Sequence, residues 1–160
     1  MTTPKQNLVS RFMECFGQPM PEQPQLPPSR TITFRYDLIK EEADELVFSE
    51  SLVDYLDAIC DLLYVVYGAA NAAGLNAVLV DAAFVEVHRS NMSKLWTTEE
   101  KNAYKDDDLE WTPRFDRWIA KRDGKVIKSP SYSPADLRRF VDKEVRTNEE
   151  EERYEEVKKS

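Results

Sequence analysis

The sequence predicts an all-α fold, a bundle of four or more helices with a less regular C-terminal third. Three observations carry that prediction. Glycine is scarce, at 4 of 160 residues. No alternation of apolar and polar residues runs long enough to mark an extended sheet. Apolar residues recur at helical spacing through four successive segments, separated by glycine, proline and capping signals. The length suits one domain and is enough to bury a core without disulfides.

The first helix is predicted over residues 5–16, KQNLVSRFMECF, where Leu8, Phe12 and Phe16 share a face. Gly17 stops it, with Pro19 and Pro21 behind. PMPEQPQLPPS is an extended proline-rich connector that either frames a pocket or serves as a plain linker. The second helix starts near Ser29 or Thr31 and runs to about Phe48. Ser51 and Asp54 form an S-x-x-D capping signal for a third helix, which continues to about Ala73 and stops at Gly74. A fourth covers roughly Asn76 to Ser93.

Beyond Leu95 the period fades. TTEEKNAYKDDDLEWTPRFDRW is charged and aromatic, so 96–121 reads as an insertion or a flap. RDGKVIKSPSYSP carries a turn signal at Asp123-Gly124, and a short helix is expected from Pro134 to Val145. The domain assignment is 1–145, followed by a charged tail over 146–160. No internal repeat is evident.

The net charge is -8, with 30 acidic against 22 basic residues, which argues against a nucleic-acid partner held by bare electrostatics. A negative chain that takes a negative ligand needs metal cations as a bridge. Cys15 and Cys60, the only cysteines, lie in apolar contexts and read as small core residues. One histidine and two separated cysteines speak against structural zinc. No signal peptide or membrane span is visible, so the expectation is a cytoplasmic protein with no membrane partner.

The stretch KEEADELVFSE, residues 40–50, raises a physical question. Like charges one helical turn apart, such as Glu41 and Glu45, cost a helix roughly 0.2–0.5 kcal/mol per pair. On the third helix, Leu52, Leu56, Ile59, Leu63, Val66 and Ala70 form one stripe, read as core. Asp54, Asp57 and Asp61 lie opposite. From Leu62 onward the helix is apolar all round, the pattern of a buried element. No Lys or Arg occurs in residues 46–88 to neutralise these acids locally. Glu41, Glu42 and Glu45 facing Asp57 and Asp61 would repel unless hard cations lie between them, and such oxygen ligands suit Mg²⁺ or Mn²⁺. The competing reading is a solvated, salt-bridged surface.

KEEADEL, DAICDLLYVVYGAANAAGL, FVEVHRSNMSKL and DGKVIKSPSYSPADL occur in this order. Together they resemble the MazG-like all-α nucleoside triphosphate pyrophosphohydrolases, a superfamily that includes phosphoribosyl-ATP pyrophosphohydrolase. The likeness is greatest to the dimeric MazG-like dUTPase branch. It implies a MazG-like helical bundle, assembled as a homodimer or higher homo-oligomer. It also implies hydrolysis of a nucleoside triphosphate to monophosphate and pyrophosphate, on a pyrimidine deoxynucleotide such as dUTP or dCTP. The E-E-x-x-E glutamates carry over to Glu41, Glu42 and Glu45, and the following E-x-x-D acids fall at residues 58 and 61. Asp61 matches; residue 58 is Ala58, with Asp57 the nearest acid, which leaves the number of metal ions open.

The resemblance further implies Mg²⁺, with Mn²⁺ as a substitute, and Glu42 as general base. It places Arg89, Asn91 and Lys94 at the substrate. Arg89 pairing with Glu86 on its own helix is the alternative. Lys125 and Lys128 either reach the phosphates or are solvated. His88 reads as a structural hydrogen-bonder, and Phe16 and Tyr64 as core rather than a base pocket. Two other functions stay open: a non-catalytic helical interaction protein, and a pyrophosphohydrolase for a purine, a modified nucleotide or an alarmone.

Overall fold

A computed structural model describes residues 4–105 and 107–141. It contains four long helices, as expected: α1 Lys5–Cys15, α2 Ser29–Phe48, α3 Leu52–Ala72 and α4 Ala77–Met92. They are followed by α5 Thr98–Ala103, strands β1 Glu110–Arg114, β2 Arg117–Arg122 and β3 Lys125–Ile127, and α6 Arg138–Val141. The chain divides into two compact units, 1–80 and 81–160, with the boundary inside α4. The charged tail and the end of the expected Pro134–Val145 helix lie outside the described residues. Among the described residues, no single helix is long and apolar enough to cross a membrane.

The helix ends follow local chemistry. The Ser51 side chain accepts the Asp54 backbone N–H at 3.1 Å and opens α3. Asn76 Oδ1 accepts the Leu79 N–H at 2.9 Å and opens α4. Gly74, at φ +70°, ends α3, and a side chain there would strike the Gln23 carbonyl. That close approach seats the proline-rich connector: Gln25 N–H donates to Ala73 O at 3.0 Å. Met20, Pro21 and Glu22 wall a cleft of about 160 Å³ with Asn71 and Ser10. The connector therefore frames a pocket rather than merely linking helices.

In the first unit α3 packs against both α1 and α2. Val9, Met13 and Ala72 form the core, with Met20 and Tyr67 against them. The residues of α3 that bury are the small and polar ones, Ala58, Gly68, Asn71 and Ala72. Gly68 admits the Arg35 guanidinium, whose Nη1 lies 2.9 Å from where a Cβ would stand. Arg35 donates to Gln18 Oε1 at 2.9 Å.

Four expectations are corrected here. The stripe read as core is largely open in the single chain: Leu52 is 83% exposed and Leu56 60%. Leu63, Tyr64 and Val66 are exposed too, so the later part of α3 is not buried all round. Helical periodicity marks an apolar face but does not say which neighbour covers it, and α1 and α2 approach on the side where small residues let backbones close in. Cys15 and Cys60 are free and exposed rather than core residues. Phe16 and Tyr64 are likewise exposed and stack with Phe12 at the surface, at centroid distances of 4.3 and 5.6 Å.

The second unit holds a three-stranded antiparallel sheet, ordered β1-β2-β3, where the sequence suggested an insertion or flap. Trp111 pairs with Ala120, and Ala120 with Ile127, so one cross-strand row faces a core built on Trp96 and Leu109. Trp118 lies two residues before Ala120 and shares its face. Trp96 bridges Trp118 through two backbone hydrogen bonds of 2.9 Å and donates its indole N–H to Ile127 O at 3.0 Å. Asp123 and Gly124, both at positive φ, make the expected turn between β2 and β3.

Candidate functional site

Glu41, Glu42 and Glu45 lie on α2, and Asp57 and Asp61 on α3, with only the Ser49–Ser51 turn between the helices. The helices run antiparallel, since Arg35 meets Gly68 while Glu42 senses Asp57 and Asp61. Glu42 is half-buried and the other four acids are exposed. Burial pushes the Glu42 carboxyl above its ordinary range, and the charges of Glu45, Asp61, Glu41 and Asp57 push it further. The four acids whose charges bear on Glu42 are the other members of the expected set.

None of the five forms an ion pair among the described residues; the nearby Lys40 is taken by Asp44 at 2.5 Å. The side chains are not drawn into a ready-made ligand cluster of three or more among the described residues. The donor set nonetheless fits a hard divalent cation: carboxylate oxygens only, in mutual repulsion, and with no ion pair to relieve it among the described residues. Ala58 is buried, and Asp57 beside it is exposed, so the acid at 57 leaves the helix on the side open to solvent.

A sequence model of phosphoribosyl-ATP pyrophosphohydrolase matches residues 9–91. The chain belongs to the phosphoribosyl-ATP pyrophosphohydrolase family. This family sits within the MazG-like all-α superfamily, and its name describes cleavage of a nucleotide's pyrophosphate linkage. An uncharacterized protein of Acanthamoeba polyphaga mimivirus is 40% identical over 80 residues, covering 42% of this chain and 30% of its own length. The chain therefore spans under a third of that relative. In this pyrophosphohydrolase-family chain the match takes in all five acids and ends at the C-terminal part of α4, before the sheet.

The residues assigned to substrate lie in the second unit, where Arg89 is held by its own helix. It donates from Nε and Nη2 to Glu86 at 2.8 and 2.7 Å, and from Nη2 to Pro134 O at 3.0 Å. Lys94 donates to Asn91 Oδ1 at 2.7 Å. Lys128 lies 4.2 Å from the Tyr132 ring centroid, and Lys125 and His88 are exposed. Lys94, Lys125 and Lys128 have no carboxylate partner among the described residues.

The pairing of Glu86 with Arg89, left open by the sequence as the alternative to a substrate role, is present in the structure. Glu86 is 5% exposed and receives Arg89, the Asp136 N–H at 2.9 Å and Arg139 at 3.4 Å. With Ser93 and Ser129 it ties residues 129–139 back to α4. The Arg89 hydrogen bonds, then the Asp136 N–H, hold its carboxyl down at about 2. A carboxyl lowered on folding adds stability that is complete above its unfolded value of 4.5 and is lost as pH falls toward 2. All three tryptophans lie in this unit. Their near-UV circular dichroism is expected to decay over that window. Glu86→Gln is expected to be less stable at neutral pH and to show a flatter acid limb. An acid limb identical to the parent's would remove Glu86 from this role.

Proposed function

We propose that the chain is a metal-dependent nucleoside triphosphate pyrophosphohydrolase, converting a (d)NTP and water to the (d)NMP and pyrophosphate. The observation that carries the reading is the gathering of Glu41, Glu45, Asp57 and Asp61 about the half-buried Glu42, none of the five in an ion pair among the described residues. Mg²⁺, or Mn²⁺ in its place, would be held by Glu41, Glu42, Glu45, Asp57 and Asp61, offsetting the triphosphate's charge and acidifying the attacking water. Glu42 accepts the proton of the water that attacks the α-phosphorus. The bond from that phosphorus to the bridging oxygen breaks, and pyrophosphate departs.

Lys94, Lys125 and Lys128 are assigned to phosphate, and Asn91 to phosphate, sugar or base. Arg89 joins them only by sharing its guanidinium with Glu86. The substrate class is a pyrimidine deoxynucleotide such as dUTP or dCTP, an assignment that rests on the likeness to the dUTPase branch.

Incubation with each dNTP and NTP, with Mg²⁺ and then Mn²⁺, tests this reading when the products are resolved. Monophosphate and pyrophosphate from one pyrimidine deoxynucleotide are expected. Diphosphate and phosphate would overturn attack at the α-phosphorus. No turnover, together with no rise in Tm on adding either metal, would favour a non-catalytic interaction protein, because a ligand that binds only the folded state must raise its stability.

The same reading makes the protein a homodimer. Val47 and Phe48 at the end of α2 and Leu52, Val53 and Leu56 at the start of α3 are each at least 60% exposed. Contiguous apolar surface of this kind marks an interface. Sedimentation equilibrium is expected to give twice the chain mass, and Leu52→Glu/Leu56→Glu to give the monomer. A monomeric parent would refute the assignment.

A further inference from the structure

The second unit contains a cavity of about 650 Å³ outside the family match except at Asn91. Its volume lies in the range of small-molecule sites. We propose that it binds an amphipathic anion, a ligand with an aliphatic body and one anionic head group, such as a medium-chain carboxylate.

The body is read from the lining. Met92, Leu95, Phe115, Ile119 and Val126 surround the cavity, and four of these five are aliphatic. The head group is read from the charge. Arg114 and Arg117 also border the cavity, against one carboxylate, Asp116; Lys94 and Asn91 on the same lining are the pair assigned above to the nucleotide. Arg114 has no carboxylate partner among the described residues, and Arg117 meets Asp116 only at 3.8 Å. In a chain of net charge -8 this is a local excess of cations over acids among the described residues.

The hairpin tip supplies an independent observation. Arg114 pairs with Arg117, so Phe115 and Asp116 form a two-residue turn. Phe115 takes φ +52° there, a region that Gly, Asn and Asp fill far more readily than a bulky aromatic. Its ring stands at the cavity's edge fully in solvent, with a relative exposure of 105%. Neither the strain nor the exposure helps the fold; a bound aliphatic chain would cover the ring and put it to use.

Isothermal titration of the full chain with sodium decanoate, below its micellar concentration, tests the proposal. One decanoate per chain is expected, with no binding of decylammonium under the same conditions. Arg114→Gln/Arg117→Gln is expected to raise Kd at least tenfold with unchanged near-UV circular dichroism. Val126→Asp, at a half-exposed strand position, is expected to remove binding, while Glu42→Gln leaves it unaltered. No saturable binding, equal binding of the cationic amphiphile, or a Kd insensitive to the arginine pair would each overturn the proposal. Displacement of decanoate by dUMP or dUTP would also overturn it, by giving the cavity to the nucleotide. Failure of the nucleotide assays alone leaves these outcomes unaffected.

Discussion

Glu42→Gln is expected to keep the helices and lose turnover by at least about 10²-fold, the lower end of what a positioned general base contributes. Glutamine nearly preserves size and shape but can neither accept the water's proton nor bear charge. The substitution also relieves the repulsion that Glu45, Asp61, Glu41 and Asp57 exert at this position. The metal-free protein should therefore be no less stable than the parent, and its Tm should rise less when Mg²⁺ is added. Steady-state assays and thermal melts on the same preparation separate these effects. Full activity in Glu42→Gln would end the carboxylate mechanism, whatever the melts showed.

Trp96→Ala is expected to cost the second unit about 3–5 kcal/mol, the usual range for removing a buried large aromatic. Trp96 is 3% exposed, and its ring meets Tyr104 at 5.5 Å and Trp111 at 5.1 Å, both edge-on. It also donates the indole hydrogen bond that fixes β3 through Ile127. The ring is thus the shared contact of α5's end, β1 and β3. Urea denaturation followed by near-UV circular dichroism should report a large loss in this unit. The far-UV signal of α1 to α3 should change little, since their core of Val9, Met13 and Ala72 contains no residue of the second unit. A shift smaller than about 1 kcal/mol would mean that the sheet does not depend on this core.

The stops of α1 and α3 and the starts of α3 and α4 were legible because local residues announce them, while α2 was legible by its apolar spacing alone. Gly17 and Gly74 supply the positive φ their stops require, and Ser51 and Asn76 supply side-chain acceptors for orphan N–H groups. The strands were not legible, for a physical reason. They span three to six residues, too few for a period of two to stand out, and Pro113 interrupts the first. Their core is made by Trp96 and Tyr104, both outside the strands, meeting Trp111 of β1, contacts that no strand-length window contains. Trp96, Trp111 and Trp118 were nevertheless a compositional signal, since three tryptophans within 23 residues seldom serve a mere loop.

By itself the sequence determined the four long helices and the family, and it singled out five acids as candidates, because carboxylates at turn spacing with no Lys or Arg in residues 46–88 are a statement about charge, and charge needs no coordinates. Tertiary structure alone decided which of those acids is unlike the others. Only Glu42 is half-buried where α2 meets α3, and burial sets which carboxyl is raised. It also decided that Arg89 belongs to Glu86, a pairing reinforced by Asp136 and Arg139 from 50 and 53 residues away. And it decided that the apolar stripe of α3 stays open in the single chain, because periodicity reports that a face is apolar while packing alone says what covers it.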